Sequence, residues 1–280
     1  FFQYEASNII CPNPKFSILL QRVKQNNFKY FYDHLDLLKN DKLYDDSEFL
    51  QLFDFSFKKL PIYFIKLLFN SPKSSTCFLF ARIAKTCNLE MIQAAVENLP
   101  EENLHINQND KNGFNALHYA CLNKSKEVAN YLLSHPKIDP NATTEAQNLK
   151  VKYFQMTPLH IVALHQIVDI CESLLKHNQI DVNKPIKKNL ITPLMTAASN
   201  NSVEIVNLLL NNSSININLI DIKGQNALHY AVLANSLESV KNLALHGIDL
   251  NVTEKEKNMT PLLLAVENNK VDFVRYFCSL

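Results

Sequence analysis

The chain reads as an all-α solenoid of stacked helix-turn-helix units, and three observations carry that expectation. A hexapeptide, Asn115-Ala116-Leu117-His118-Tyr119-Ala120, returns as Thr157-Pro158-Leu159-His160-Ile161-Val162, Thr192-Pro193-Leu194-Met195-Thr196-Ala197, Asn226-Ala227-Leu228-His229-Tyr230-Ala231 and Thr260-Pro261-Leu262-Leu263-Leu264-Ala265. The first residues of these copies stand 42, 35, 34 and 34 positions apart. A second apolar stretch begins eleven residues after Thr192 and Thr260, as in Val203-Glu204-Ile205-Val206-Asn207-Leu208-Leu209-Leu210 and Val271-Asp272-Phe273-Val274-Arg275-Tyr276-Phe277. Its apolar residues fall at i, i+3, i+4 and i+7, the spacing of a buried helical stripe. The third observation is a recurring extended connector: Ile138-Asp139-Pro140-Asn141, Ile180-Asp181-Val182-Asn183, Ile215-Asn216-Ile217-Asn218 and Ile248-Asp249-Leu250-Asn251.

Each element of a unit has a physical reason. In the copy at 219–251, Asp221-Ile222-Lys223-Gly224 is a turn in which Gly supplies a positive φ without steric penalty. Asn226 stands at the N-cap of the first helix, where its side chain accepts a bond from an orphan amide. The copies at 157, 192 and 260 place Thr there, followed by Pro at the first helical position, where no amide is needed. Leu228 points into the core, and Ala231 is small enough for a neighbouring helix to approach closely. No such unit buries its apolar face alone, so the pattern must recur.

A period near 33 carrying Thr-Pro-Leu-His-x-Ala resembles the ankyrin-repeat family, over at least residues 105–280. The resemblance implies that the connectors are short β-hairpin fingers, that first helices and fingertips line a concave surface, and that second helices form the back. It implies a role in binding proteins, as a scaffold or adaptor.

Residues 105–280 read as five ankyrin repeats, with a long finger at 142–156 and the last repeat incomplete. Upstream, the frame continues with decay. Asn88-Leu89-Glu90-Met91-Ile92 matches the start of a second helix with its cap near Phe78, and Ile62-Tyr63-Phe64-Ile65-Lys66-Leu67-Leu68 matches another with its cap near Gln51. Ser17-Ile18-Leu19-Leu20 followed by Phe28-Lys29-Tyr30-Phe31 aligns with the copy at 260. Residues 1–104 are therefore about three degenerate repeats; the alternative is a separate helical domain packed on the solenoid as a cap. The chain opens Phe1-Phe2 and closes at Phe277-Cys278-Ser279-Leu280 within a second helix. Because solenoids need polar end repeats, further flanking sequence is expected.

Composition limits the function classes. Lys and Arg number 28 against 27 Asp and Glu, a formal charge of +1, so no whole-chain field favours nucleic acid or anionic lipid. The six cysteines (Cys11, Cys77, Cys87, Cys121, Cys171, Cys278) are dispersed without C-x-x-C. That pattern offers neither a zinc cage nor a disulfide framework, and a reducing, cytoplasmic compartment is the simpler reading. The longest apolar run, Leu60–Phe69, contains Lys66 and is too short to span a bilayer. No membrane insertion, nucleic-acid partner or small-molecule cofactor is expected.

No constellation reads as catalytic. Phosphate loops, nucleophile elbows and H-E-x-x-H are missing from the sequence. By the resemblance, His118, His160 and His229 make structural bonds tying adjacent loops. His160 and His165 lie five apart and do not share a helical face as paired ligands would. Cys121 sits beside Ala120 at the packed face, where a structural thiol is expected. Asp33, His34 and Asp36 read as a solvated helix edge. The expectation is therefore no catalytic residue, no metal and no enzyme.

The binding surface is nominated by the frame. Positions four and eight after each cap hold Tyr119, Ile161, Thr196, Tyr230 and Leu264, and Asn123, His165, Asn200, Ala234 and Asn268. Such a groove is neutral, Asn-rich and partly aromatic, which suits a protein segment. The competing reading of Tyr119 and Tyr230 is packing between helices. The long finger ends in Lys150-Val151-Lys152-Tyr153-Phe154 and is either a tolerated loop or an exposed aromatic anchor between lysines. The candidate protein-binding residues are Tyr119, Lys152, Tyr153, Phe154, His165 and Tyr230. The alternative function is the substrate-recruiting or regulatory region of a larger enzyme or effector.

Overall fold

A computed structural model describes residues 79–98, 104–110, 112–145 and 153–280. The frame proposed at 17–68, the Asp33-His34-Asp36 group and Lys152 lie outside those residues. The described part holds twelve α-helices and no strand, an all-α repeat solenoid as the periodicity predicts. Two compact units are present, Phe1–His105 and Ile106–Leu280.

In the first unit, α1 (Leu79–Lys85) and α2 (Leu89–Asn98) form an antiparallel pair. Cys87 turns the chain at φ 58°, and the Asn88 side chain accepts from the Met91 amide to cap α2. Phe80, Ile83, Met91 and Ile92 are buried.

The second unit repeats one construction five times. Its pairs are α3 (Ala116–Leu122) with α4 (Lys126–Ser134), α5 (Pro158–His165) with α6 (Val168–Leu175), and α7 (Pro193–Ser199) with α8 (Val203–Leu210). They continue with α9 (Ala227–Leu233) and α10 (Leu237–Leu245), then α11 (Pro261–Glu267) and α12 (Val271–Phe277). The side chains of Asn115, Thr157, Thr192, Asn226 and Thr260 each accept from the amide three residues on, the N-cap role expected of them.

The turn between paired helices is a Schellman-type stop. Lys124, Gln166, Asn201, Asn235 and Asn269 take φ between 53° and 59°. The next amide then reaches back: Ser125 to Ala120, Ile167 to Val162, Ser202 to Ala197, Ser236 to Ala231 and Lys270 to Ala265. Only three glycines exist in the chain, so longer side chains occupy this left-handed position. So short a turn forces the two helices antiparallel.

First helices stack on first helices from α3 through α5, α7 and α9 to α11, and second helices stack from α4 through α6 and α8 to α10. Ala116, Ala120, Ala197, Ala227, Ala231 and Ala265 are fully or almost fully buried at these contacts. Removing the side chain beyond Cβ is what lets first helices approach on both sides.

The connectors differ from the expected hairpins. The Ile-x-x-Asn segments are turns at the feet of the second helices, and their asparagines build a ladder from unit to unit. Asn107 Nδ2 donates to the Lys137 carbonyl (2.7 Å) while its Oδ1 accepts from the Asp139 amide (2.8 Å). Asn141 does the same with Gln179 and Asp181, and Asn183 with Ser214 and Asn216. Asn218 accepts from the Asp249 amide. The fingers lie further along, at 110–114, 144–156, 186–191, 221–225 and 254–259. Each is closed by a bond between its end residues, such as Ile186 N to Ile191 O (2.8 Å) and Asp221 N to Gln225 O (2.9 Å). In the four short fingers, five or six residues leave no length for a ladder, which is why they are turns.

Gly224 and Gly247 test this geometry against each other. Both hold positive φ, 78° and 79°. A Cβ on Gly224 would lie 3.1 Å from the Thr253 carbonyl oxygen of the next finger, whereas one on Gly247 meets nothing within 4 Å. Gly247→Ala is expected to cost about 1 kcal/mol, the left-handed penalty alone. Gly224→Ala should cost more, because its added contact is with backbone, and urea unfolding of the two variants measures the difference.

Candidate protein-interaction surface

The histidines of the hexapeptides hold the fingers in place. Nδ1 of His118, His160 and His229 accepts from the N-cap amides of Asn115, Thr157 and Asn226 at 3.1, 3.3 and 3.3 Å. That assigns the proton to Nε2, which donates to the carbonyls of Ala142, Ile191 and Met259 at 3.0, 3.1 and 3.2 Å. Burial lowers the pKa of His118 and His160 to about 4, against smaller opposing contributions from those carbonyls. Burial also lowers that of His229. Neutral imidazoles with both nitrogens engaged are structural clamps. Met195 and Leu263 take this position in the other two units, so the clamp is not repeated there.

The thiols are equally committed to packing. Cys121 and Cys171 are fully buried, and burial raises the Cys121 pKa above its ordinary value and that of Cys171 to about 12. Neither supplies a thiolate near neutral pH. Among the described residues no group of three or more His, Cys, Asp or Glu side chains forms a metal-ligand cluster.

Tyr119 and Tyr230 occupy one arrangement, repeated. Asp110 Oδ1 accepts from the amides of Asn112 and Phe114, and its Oδ2 from the Tyr119 hydroxyl at 2.7 Å. Asp221 Oδ1 accepts from Lys223 and Gln225, and its Oδ2 from the Tyr230 hydroxyl at 2.8 Å. Tyr119 is buried and Tyr230 half-buried. Burial, and then Asp221, hold the Tyr230 pKa above the usual phenol range. Both tyrosines thus brace their own finger. The spacing Asp-x-x-Gly with Tyr nine residues after the Asp occurs only where the position-four residue is Tyr, and it is the sequence signal that identifies this brace.

Position four lies largely inside. Ile161, Thr196 and Leu264 are buried alongside Tyr119, on first helices that stack against the first helix of a neighbouring unit. Position eight is the more open: Asn123 and Asn268 are exposed, and His165, Asn200 and Ala234 half-buried.

The aromatic pair of the long finger folds back. The Tyr153 hydroxyl lies 3.0 Å from His165 Nε2, and its ring meets Phe114 edge-on at 5.7 Å between centroids. Phe114 in turn packs against Tyr119 at 5.4 Å. Three candidates, Tyr119, Tyr153 and His165, are therefore brought into one cluster, whereas Tyr230 stands two units further along the stack. Phe154 is half-buried. The physical reason is Thr144: it is fully buried, its amide donates to the Met156 carbonyl, and its hydroxyl bonds the Tyr153 carbonyl. These bonds draw both ends of the insertion together and pull Tyr153 off the tip.

Neighbouring fingers are joined in two groups, 110–114 with 144–156 and 186–191 through 221–225 to 254–259. Glu145 N donates to Gly113 O (2.9 Å), Ile222 N to Asn189 O (3.1 Å) and Lys255 N to Lys223 O (2.8 Å). Their outer residues include exposed Lys187, Lys188, Leu190, Ile222, Lys223 and Lys255. This edge lies outside the recurring hexapeptides, so their pattern carries no signal for it.

A family model described as ankyrin repeats (3 copies) matches residues 61–144, 144–221, 184–254 and 215–280. The nuclear factor NF-kappa-B p105 subunit of Gallus gallus is 33% identical over 164 residues, covering 58% of this chain. The matched stretch spans 16% of that relative's length.

Proposed function

The chain belongs to the ankyrin-repeat family, and on that premise we propose that it is a non-catalytic protein–protein interaction module, a scaffold or adaptor that grips a protein partner through its concave face and fingers. The observation that carries this reading is the division of labour among side chains. The histidines of the repeat motif, His118, His160 and His229, and the helix thiols Cys121 and Cys171 are buried in the stack. The fingers, 186–191, 221–225 and 254–259 being bonded side by side, carry exposed charge and aliphatic surface instead. No helix among the described residues is long and apolar enough to cross a membrane. A reducing, cytoplasmic setting fits the buried thiols, and the module needs no cofactor.

The test is affinity capture with residues 1–280 as bait, beside a variant lacking 146–152. That deletion removes seven residues and leaves 144–145 joined to 153–156, a six-residue finger like 186–191 and 254–259. It spares Thr144 and Tyr153, so its unfolding free energy should stay within about 0.5 kcal/mol of the parent. The expected result is saturable capture of a discrete protein by the full chain. Absence of any saturable protein ligand, with fold intact by circular dichroism, sinks the reading.

A second reading is that the chain is the substrate-recruiting or regulatory region of a larger enzyme or effector. It is favoured by the small share of the p105 relative that the chain matches, 16%. The flanking reading frame separates the two.

A further inference from the structure

Three adjacent fingers, 186–191, 221–225 and 254–259, turn their acids inward and their lysines outward. Asp221 has both carboxylate oxygens occupied by its own turn and by Tyr230. Glu254 is buried, with Oε1 accepting from the amides of Lys257 and Met259 and Oε2 from that of Glu256. Lys257 is neutralised by Glu267 at 2.7 Å. What remains outward is Lys187, Lys188, Lys223 and Lys255, against the one exposed acid Glu256. The bonds from Ile222 N to Asn189 O and from Lys255 N to Lys223 O align these residues into a continuous strip. Lys255 Nζ also donates to the Ile222 carbonyl, which holds that side chain across the gap between two fingers.

Aliphatic side chains interrupt the strip. Leu190, Ile220 and Ile222 are 41%, 45% and 49% exposed, on the same fingers or directly beside them. A surface that alternates ammonium groups with aliphatic ones is suited to a ligand alternating carboxylates with apolar side chains. The charges steer and register it, and the aliphatics contribute desolvated area. A phosphate backbone would find no use for Leu190, Ile220 and Ile222, and no aromatic ring stands among them for a base to stack on.

We propose that the strip formed by Lys187, Lys188, Leu190, Ile222, Lys223 and Lys255 is the docking edge for an extended acidic segment of a partner protein carrying aliphatic residues. This rests on the reading of the chain as a protein-binding module and adds the chemistry of the partner. These fingers are short turns, each joined to the next by a backbone bond, so recognition is by side chains rather than by strand addition.

The test uses the full chain to select from a phage-displayed library of random peptides of roughly 15 residues, long enough to run across three fingers. Selected peptides are expected to be rich in Asp and Glu with Leu, Ile, Val or Phe between them. The triple variant Lys187→Glu, Lys188→Glu, Lys223→Glu alters only exposed side chains, and circular dichroism checks its fold. It should bind a selected peptide about tenfold more weakly or worse. Leu190→Ser with Ile222→Ser should also weaken it, and affinity should fall as salt rises from about 50 to 300 mM. Selection of neutral or basic peptides overturns the proposal, as does no selection above background or undiminished binding by the triple variant. So does displacement of the peptide by single-stranded RNA or phosphatidylserine vesicles that bind through the same lysines. A natural partner held equally by the parent and the triple variant removes the strip while leaving the binding module standing. Loss of all saturable protein capture by the parent removes the module itself.

Discussion

Unfolding free energy is expected to fall by about 4 kcal/mol between pH 7 and pH 5, with the fold weaker at the lower pH. The cause is the pair His118 and His160, whose folded pKa is lowered by burial to about 4 from the ordinary imidazole value of 6.5. Above pH 6.5 both states carry neutral rings and stability is at its full value. As pH falls below 6.5, the unfolded chain takes up protons that the folded chain refuses. Each ring then contributes a loss of about 1.4 kcal/mol per pH unit, until the folded pKa is reached. His229, lowered in the same direction, adds to the loss.

Glu254 acts in the same sense, but at lower pH. Burial alone would raise its pKa, but three backbone amide donors outweigh that and hold it lower. Its contribution is lost only as pH falls below the ordinary carboxylate value of 4.5, so measurements at pH 5 and above isolate the histidines. Urea midpoints at half-unit steps make the measurement. The double variant His118→Gln, His160→Gln should lose most of the pH dependence, whatever its stability at pH 7. Equal stability of the parent at pH 7 and pH 5 would mean that these rings protonate in place, and the clamp geometry would be wrong.

Leu209→Ala is expected to destabilise the chain by about 2–5 kcal/mol. Leu209 is fully buried on α8, which packs against α7 within its own unit and against α6 and α10 on either side. Truncation leaves a cavity that helices pinned at both ends cannot close. In a stack whose stability is carried by neighbour contacts, the damage falls on two interfaces at once. Leu245→Ala is the control: that side chain is 79% exposed, and its loss should stay within about 0.5 kcal/mol. Similar urea midpoints for the two variants would show that α8 does not bury the face assigned to it.

Much of the architecture is legible in particular residues. Thr157, Thr192, Asn226 and Thr260 announce helix starts because a cap is a local contact, made within four residues of sequence. Val203 to Leu210 announces a helix face because its stripe needs only the 3.6-residue period. His118, His160 and His229 follow from the motif they sit in. Tyr153 marks where that kind of reading stops. A tyrosine beside lysines at the end of an insertion looks exposed, yet Thr144 and His165 recapture it. Position four is similar: nothing within one short helix says that a helix of the next unit will cover Ile161 or Thr196.

By itself, then, the amino-acid order determined where each first helix of the five repeats begins, the repeat length and the apolar stripe of the second helices, all of which depend on local spacing. Tertiary structure alone decided which side chains stay in water. The asparagine ladder and the finger-to-finger bonds that align the outward lysines arise where one unit meets the next, about thirty residues away. Exposure is a property of that meeting, since a side chain is buried only when a distant segment arrives to cover it.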